Sequence, residues 1–243
     1  MCRVIKEFGE MWKSIVSEMN PRSAVPGALS MVLFLSLSCS MSMQFGHADV
    51  PIAETAKMAQ PLKVGQNAPR FVVRTVEDKP FEFDPRNLER PVVAITFRGG
   101  WCPFCNMHLS ELKDVLADID ALGVDVLFLS GDRPDLLYST LSLETQEDIA
   151  GLDYQILSDA DAQAAIAFGI AFKASQKTID RRNQKGQDIE DSSMLRHGVL
   201  PVPSVFAIDT NGVIAFAYSN ADYKVRVPAD ELLQVATEIA ASK

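Results

Sequence analysis

A strand that leads directly into a pair of cysteines and then into a helix constrains the fold of this chain more than any other feature. Residues 91–97 are almost continuously apolar and rich in β-branched side chains, as in a central strand buried on both faces. A short glycine-containing loop follows, and then the motif Cys-Pro-Phe-Cys at residues 102–105. From Pro103 onward, apolar residues recur at helical spacing until Gly123, a typical helix stop. The pattern predicts that both cysteines lie where a buried strand gives way to the first turn of a helix.

The alternation of strands and helices continues along the chain. A second buried strand is predicted at 124–130 and a helix at about 134–143, which implies a parallel, right-handed crossover. The remaining predicted elements are strands at 71–76, 81–83, 154–157, 202–208 and 213–218, a hairpin turn at 209–212, and helices at 160–168 and 228–241. This order predicts an α/β domain in which helices pack on one main sheet.

The segment 173–200 interrupts the regular order. It is polar, charged and without a clear period. We predict an insertion or a mobile loop here, which either has a function or is a solvated connection.

The first 48 residues differ in character from the rest of the chain. Basic residues precede an apolar run at 24–37, which has the length of the apolar part of a secretory signal and is too short to span a membrane. Gly46 and Ala48 then offer a cleavage site of the small-x-small type. We therefore predict a signal segment or membrane anchor at 1–48, a polar linker at 49–61 and one domain at 62–243. The mature protein is expected in the periplasm or otherwise exported.

Export would leave a single pair of cysteines. Of the four cysteines in the chain, Cys2 and Cys39 would be removed with the signal. Cys102 and Cys105 close too small a loop to brace a domain, which favours redox chemistry over a structural disulfide. The free N–H groups and the dipole at a helix N-terminus lower the pKa of a thiol. Cys102 is therefore expected to be the more activated sulfur, with Cys105 within reach to resolve a mixed disulfide.

The two cysteines could also have uses other than redox chemistry. Buried cysteines can pack as small hydrophobic residues. A structural zinc site would need two more ligands, and the mature chain has no further cysteine. Cys102, Cys105 and His108 could provide three soft ligands for copper. The preferred interpretation needs no metal and no cofactor, and the formal net charge of −9 argues against nucleic acid as a partner.

Several stretches of the sequence resemble one superfamily. FRGGWCPFC at 97–105 is similar to the active-site region of the thioredoxin superfamily, and its setting resembles the peroxiredoxin-like AhpC/TSA branch. Further similarity lies in LKVGQNAPRF at 62–71, LPVPSVFAID at 200–209 and DYKVR at 222–226. The resemblance covers about residues 62–240. It implies a thioredoxin-like fold, with a central mixed β-sheet flanked by helices, and a thiol-based oxidoreductase activity.

The resemblance also implies residues that contact the substrate. In thioredoxin-like proteins a cis-proline packs beside the active-site sulfurs, and the preceding residue hydrogen-bonds the substrate through its main chain. Pro203, preceded by Val202, matches that place, so a cis bond is expected there. Pro201 and Pro203 could instead begin an edge strand. Trp101 and Pro103, which flank the first cysteine, are the other expected substrate contacts.

The chain departs from the peroxiredoxin pattern where that pattern supplies peroxide chemistry. By resemblance, Cys105 occupies the peroxidatic position, Cys102 stands where Thr is usual, and Pro203 stands where an activating Arg is usual. Peroxide reduction needs a thiolate and donors that polarise the O–O bond, so these changes should weaken hydroperoxidase activity. Arg98 or Arg226 could substitute for the missing Arg, or could be solvated surface residues.

Three functions follow from these observations. The first is a dithiol oxidoreductase that reduces protein or small-molecule disulfides and depends on an exported thiol reductant. The second is the reduction of hydroperoxides at Cys105, with Cys102 as the resolving residue. The third is a copper-handling or redox-sensing binding protein that resembles the Sco-type chaperones, with His197 as a distant ligand. The sequence leaves the oligomeric state open.

Overall fold

Strands and helices alternate through most of the domain. The computed structural model describes residues 51–152, 154–184 and 193–242. The strands of these residues are β1 (Phe71–Arg74), β2 (Pro80–Phe83), β3 (Val92–Phe97), β4 (Asp125–Ser130), β5 (Gln155–Ser158), β6 (Ala171–Lys173), β7 (Val199–Pro201), β8 (Ser204–Ile208) and β9 (Ile214–Ser219). Their α-helices are α1 (Pro103–Ala121), α2 (Leu143–Asp148), α3 (Gln163–Ala167), α4 (Gln176–Asn183), α5 (Ser193–His197) and α6 (Ala229–Ala241).

The main sheet has seven strands in the order β2-β1-β5-β4-β3-β8-β9. β3 pairs in parallel with β4, and β4 pairs in parallel with β5, as the predicted crossovers require. β8 pairs antiparallel with both β3 and β9, and β1 pairs antiparallel with β2 and β5. β6 and β7 form a separate antiparallel pair. The prediction of an α/β fold with a central mixed sheet is confirmed.

β3 is an interior strand of the sheet, between β4 and β8, and is buried along its whole length. Val93, Ile95 and Phe97 belong to the hydrophobic cluster on one face, whereas Val92 and Ala94 belong to the cluster on the other. This division follows from the alternation of side chains along a strand. A strand covered on both faces needs the continuous apolar run seen in the sequence.

Helix α1 covers the first of these faces. Its fully apolar buried positions recur at helical spacing and are Leu109, Leu112, Val115, Leu116 and Ile119. Burial of one such side chain stabilises the fold by roughly 1.5–3 kcal/mol. Pro103 occupies the first helical position, where an N–H would have no partner within the helix. α1 ends before Gly123, whose φ of +74° suits glycine.

The prediction of one helix at about 134–143 is wrong. A 3₁₀ turn forms at Pro134–Leu136, and α2 begins only at Leu143. Two side chains account for the break: Thr140 Oγ1 donates to Asp132 Oδ2 at 2.8 Å, and Ser142 Oγ caps α2 by accepting from the Thr145 N–H at 3.2 Å. Ser142 therefore begins a new helix instead of continuing an older one.

The segment 173–200 contains more regular structure than predicted. It includes α4, α5 and β7, while residues 185–192 lie outside the described part of the chain. Ser175 Oγ caps α4 by accepting from the Thr178 N–H at 3.3 Å. The polar composition conceals this helix because most of its side chains face solvent, with Arg182 as its one buried side chain.

Residues 51–61, for which a polar linker is predicted, pack against the domain. The Ala53 N–H donates to Ala171 O at 3.0 Å, and the Gln60 N–H donates to Gly169 O at 3.1 Å. Gly169 has a φ of +72°, and a Cβ there would clash with Gln60 O, so the close approach requires glycine. The predicted signal segment at 1–48 lies outside the described residues. Among the described residues, no helix has the length and apolar character needed to cross a membrane.

Candidate active site

The two cysteines lie where β3 passes into α1, as predicted. Cys102 is the N-cap of α1 and Cys105 lies in the first turn, with its N–H donating to Cys102 O at 2.9 Å. The Cys102 N–H donates to Gly99 O at 3.1 Å, which fixes the loop before the helix. Gly99 has a φ of +138°, and a side chain there would clash with Trp101 and Asp132. The loop thus holds Cys102 at the positive end of the helix dipole.

The environment separates the acidities of the two thiols. Both cysteines are 1% exposed. A hydrogen bond from the Cys105 thiol, aided by the charges of Arg98 and Arg226, lowers the pKa of Cys102 to about 6. Burial, followed by the neighbouring Cys102, raises the pKa of Cys105 well above its ordinary value. At neutral pH this arrangement holds Cys102 as a thiolate and Cys105 as a thiol.

Arg226 and Arg98, the two predicted auxiliary residues, both lie beside the pair. Arg226 Nη2 is 3.7 Å from Cys105 Sγ, and its Nη1 donates to the carbonyls of Tyr223 and Val225. The Arg98 guanidinium carbon is 4.6 Å from the centre of the Tyr223 ring and 5.2 Å from that of the Trp101 ring. Arg98 is 8% exposed. The guanidinium groups of both arginines therefore contact other parts of the protein, and neither residue is simply a solvated surface residue.

A third arginine, Arg182 of α4, reaches the same site and is missed by the sequence analysis. Its guanidinium carbon lies 4.0 Å from the centre of the Trp101 ring, and its Nη1 donates to Trp101 O at 3.4 Å. Burial lowers the pKa of Arg182, whereas the negative charges of Cys102 and Asp132 oppose that shift. The exposed neighbour Arg181 is chemically identical, so the sequence offers no signal that separates the two.

Asp132 is a second residue that the sequence analysis does not identify. It is fully buried, and its Oδ2 accepts from the Gly100 N–H at 2.7 Å and from Thr140 Oγ1 at 2.8 Å. Burial raises the pKa of this carboxyl group. A signal was available, because the carboxyl ends of neighbouring parallel strands share one edge of the sheet and Asp132 follows β4 directly. Asp132 joins the end of β4 to the loop before the cysteines.

The predicted cis bond at Pro203 is wrong. The described residues contain no cis peptide bond. The Val202 N–H donates to Ile170 O at 2.8 Å, while Val202 O accepts from Thr96 Oγ1 at 3.2 Å and from Ser204 Oγ at 2.9 Å. These contacts use both main-chain groups of Val202 within the fold. The Val202 N–H is therefore not free to donate the expected hydrogen bond to a substrate. Pro203 itself lines a pocket together with Arg98.

Trp101 and Pro103 line a separate groove. This cavity has a volume of about 570 Å³ and also contacts Asn106 and Thr140. Asn106 is buried, and its Nδ2 donates to Gly100 O at 2.5 Å. The substrate roles expected for Trp101 and Pro103 remain predictions.

The two histidines considered as copper ligands are hydrogen-bonded to the main chain. His108 Nε2 donates to Val227 O at 3.1 Å, and burial lowers the pKa of His108 to about 4. His197 Nε2 donates to Ala160 O at 2.8 Å, and its Nδ1 accepts from the Val199 N–H at 3.0 Å. Within the described ranges, no group of three or more His, Cys, Asp or Glu side chains is arranged to hold a metal ion. Copper binding by His197 would require one of its ring nitrogens to give up its main-chain contact.

Comparison with known proteins gives a consistent family. Residues 64–217 match the model of the AhpC/TSA family. The thiol-disulfide oxidoreductase ResA of Bacillus thuringiensis is 23% identical over 153 residues, which cover 63% of this chain and 68% of the relative. Peroxiredoxin Bcp of Escherichia coli is 28% identical over 110 residues, which cover 45% of this chain and 66% of the relative.

A solved structure with a similar fold is the peroxiredoxin-like protein from Aquifex aeolicus. It has a TM-score of 0.54 at 21% identity, and the match covers 74% of this chain and 89% of that protein. This structural similarity is evidence for the fold and not for the activity. Because the family model spans more than half of the sequence, the chain belongs to the AhpC/TSA family, and its relatives make it a thiol-based oxidoreductase.

Proposed function

We propose that this enzyme is an exported thiol-disulfide oxidoreductase in which Cys102 attacks the substrate and Cys105 resolves the intermediate. One observation supports this assignment most strongly. The pKa of Cys102 is lowered to about 6, while that of Cys105 is raised above its ordinary value. The thiolate is the attacking species in disulfide exchange, and a thiol with a pKa close to the ambient pH is the best nucleophile.

The reaction proceeds by two exchanges. The Cys102 thiolate attacks one sulfur of the substrate disulfide, which breaks the S–S bond and releases one substrate thiolate. Cys105 then loses its proton to that departing thiolate and attacks Cys102 Sγ. The second substrate thiolate leaves, and a Cys102–Cys105 disulfide remains. Two electrons thus pass from the protein to the substrate, and an external thiol reductant must return them.

The burial of both sulfurs favours small substrates. With each cysteine 1% exposed, a small disulfide or a hydroperoxide needs less rearrangement than a folded protein does. Trp101 and Phe104 pack against the cluster that contains both cysteines.

Export remains part of the proposal because it rests on the predicted signal segment at 1–48. An exported enzyme has no access to cytosolic reductants, so an exported thiol reductant would be its partner. Attachment of a reporter enzyme that is active only after export would test this point. Export of the fusion that is lost when the apolar run at 24–37 is replaced would support the proposal. Retention of both the original and the altered fusion in the cytosol would contradict it.

A second candidate function is the reduction of hydroperoxides at Cys105. The observation that favours it is the 3.7 Å separation between Arg226 Nη2 and Cys105 Sγ, because a guanidinium can stabilise a thiolate and polarise an O–O bond. The Cys105 thiolate would attack the terminal peroxide oxygen, giving a sulfenic acid and releasing an alcohol or water. Cys102 would then attack the sulfenic sulfur, releasing water and forming the same internal disulfide.

Stopped-flow kinetics separate the two functions. The full chain, with Cys2 and Cys39 replaced by Ser, is reduced and mixed with hydrogen peroxide or with bis(2-hydroxyethyl) disulfide. Cys102→Ser and Cys105→Ser are measured in the same background. Fast disulfide exchange that depends on Cys102, with slow peroxide reaction, supports the proposed function. Fast peroxide consumption that is lost only in Cys105→Ser would instead make the protein a peroxidase with the opposite nucleophile.

A further inference from the structure

A pocket opens at the carboxyl end of β3, where Arg98 and Pro203 both line it. Its cavity volume is about 450 Å³. We call it the Arg98 pocket, and the lining residues used below are Arg98, Phe172, Lys173, Leu200, Pro203 and Tyr223. Phe172, Leu200 and Pro203 make part of its wall apolar. The pocket therefore combines a cationic group with a surface suited to a short carbon chain.

Arg98 is held in this pocket in an unusual state. It is 8% exposed, and its Nε has no hydrogen-bond acceptor among the described residues. The rings of Trp101 and Tyr223, 5.2 Å and 4.6 Å from the guanidinium carbon, provide cation–π contacts. A buried charge without a hydrogen-bonded counter-ion is costly, and aromatic contacts offset only part of that cost. The nearby Cys102 thiolate interacts with this guanidinium through its charge. Since the Arg98 Nε–H has no acceptor among the described residues, the guanidinium can still bind a hydrogen-bonded anion from a ligand.

The other charged residues of the pocket do not fill this role. Lys173 Nζ forms an ion pair with Glu54 Oε1 at 2.6 Å, so these two charges largely neutralise each other at the pocket wall. Of the hydroxyl side chains that line the pocket, Ser175 and Thr178 hydrogen-bond each other at 2.9 Å, and Thr55 and Tyr223 are the others. Of the two cations among the described lining residues, only Arg98 lies outside an ion pair, so the pocket offers one net positive charge, whereas a phosphate group carries nearly two negative charges. A carboxylate, which one planar guanidinium can bind with two N–H groups, fits better.

We propose that the Arg98 pocket binds the carboxylate of a small organic substrate, so that the enzyme prefers disulfides that carry a carboxylate a few atoms from the sulfur. The apolar wall accepts the carbon chain between the carboxylate and the reacting sulfur. This inference rests on the proposed function and names its substrate class. Arg98 is the specificity residue, in addition to its electrostatic effect on Cys102.

Three symmetric disulfides of similar size test the preference. Dithiodiglycolate is anionic, bis(2-hydroxyethyl) disulfide is neutral and cystamine is cationic. In the full chain with Cys2 and Cys39 replaced by Ser, kcat/KM should be about tenfold higher for the anion than for the neutral disulfide, as for one charge-assisted hydrogen bond. Cystamine should react more slowly than either. Equal rates for the anionic and the neutral disulfide would overturn the proposal.

Arg98→Met should reduce the ratio of the two kcat/KM values to about one, and Arg98→Lys should retain part of it. The ratio is informative because a change in Cys102 reactivity affects both substrates equally. Arg181→Met removes an exposed arginine from α4 and should leave the ratio unchanged. An anion preference that survives in Arg98→Met would show that another residue causes it.

A binding measurement keeps this inference separate from the proposed function. Adipate has the shape of dithiodiglycolate but cannot react, and its binding can be followed by calorimetry. Binding that is lost in Arg98→Met supports the pocket even if no disulfide is reduced. Turnover of the neutral disulfide without any adipate binding would support the function and overturn the pocket.

Discussion

The direction of one hydrogen bond gives Cys102 and Cys105 opposite preferences for their protons. Both are buried to the same extent, and burial alone would raise the pKa of both thiols. The Cys105 thiol donates to Cys102, which stabilises the thiolate of Cys102 and makes the Cys105 proton harder to remove. Cys105 therefore prepares the nucleophile before it resolves the intermediate.

Removal of that donor should raise the pKa of Cys102 above about 6. In Cys105→Ala the donor is absent, whereas Cys105→Ser keeps a hydroxyl that can donate. For a rise of roughly one pKa unit, alkylation of Cys102 by iodoacetamide at pH 6 should be about fivefold slower in Cys105→Ala than in Cys105→Ser. Identical pH profiles for the two variants would show that the hydrogen bond is not the main cause.

The stability of the reduced protein should depend on pH through Cys102. Its pKa falls from an ordinary value of 9.0 to about 6 on folding, so the unfolded state binds more protons between these values. The stabilisation is fully present above pH 9 and is lost as the pH falls through 6. Relative to Cys102→Ser, the free energy of unfolding should decrease by up to about 1.4 kcal/mol per pH unit on lowering the pH within this window. Denaturant titrations at pH 6, 7 and 8 measure the difference, and a constant difference would contradict the assignment.

Single residues also show how far the sequence could predict the site. The Cys-Pro-Phe-Cys motif identified the cysteines, and the resemblance pointed to Arg98 and Arg226, which the structure brings beside them. Arg182 could not be found, because which of two adjacent arginines is buried depends on how α4 packs. The cis bond at Pro203 was expected from the resemblance alone, and the described residues contain no cis peptide bond.

At the scale of elements, α4 changes from a presumed solvated connection into one wall of the active site. It contributes the Arg182 guanidinium, 4.0 Å from the Trp101 ring. Elements with strong apolar periods, such as β3, β4, α1 and α6, were predicted close to their observed bounds. Polar elements were not, since α2 and α4 begin at serine caps and bury few apolar residues. The spacing of apolar residues therefore predicts the elements that build the core and misses polar elements such as α4, which contributes Arg182 to the site.

The contribution of α4 can be measured with a matched pair of variants. Arg182→Met removes a positive charge that interacts with the Cys102 thiolate, so the pKa of Cys102 should rise. Alkylation of Cys102 at pH 6 should become about twofold slower, as expected for a fraction of a pKa unit. Arg181→Met removes the same charge from the exposed face and should have no effect. Equal effects of both substitutions would indicate a general charge effect and not a local contact.

At the scale of the whole molecule, the catalytic end of the sheet and the N-terminal residues of the domain belong to one packed structure. Residues 51–61 lie against the α3 and β6 region, where Ile52, Ala56 and Ala59 join the second hydrophobic cluster. The Lys173 N–H donates to Ala53 O at 2.8 Å, and Lys173 itself lines the Arg98 pocket. The segment thus supports the pocket wall as well as the core.

A comparison of chains that begin at residue 49 and at residue 62 tests this role. Removal of residues 51–61 exposes part of the second cluster and leaves Gly169 O and Ala171 O without their partners from Gln60 and Ala53. A loss of about 2 kcal/mol is expected from the apolar area and the unpaired carbonyls. For a domain of this size, the melting temperature should fall by roughly 4–8 °C. Adipate binding should change as well, because the loss of Ala56 opens the wall of the Arg98 pocket and the loss of Glu54 leaves Lys173 without its ion-pair partner. An unchanged melting temperature and unchanged binding would return residues 51–61 to the role of a linker.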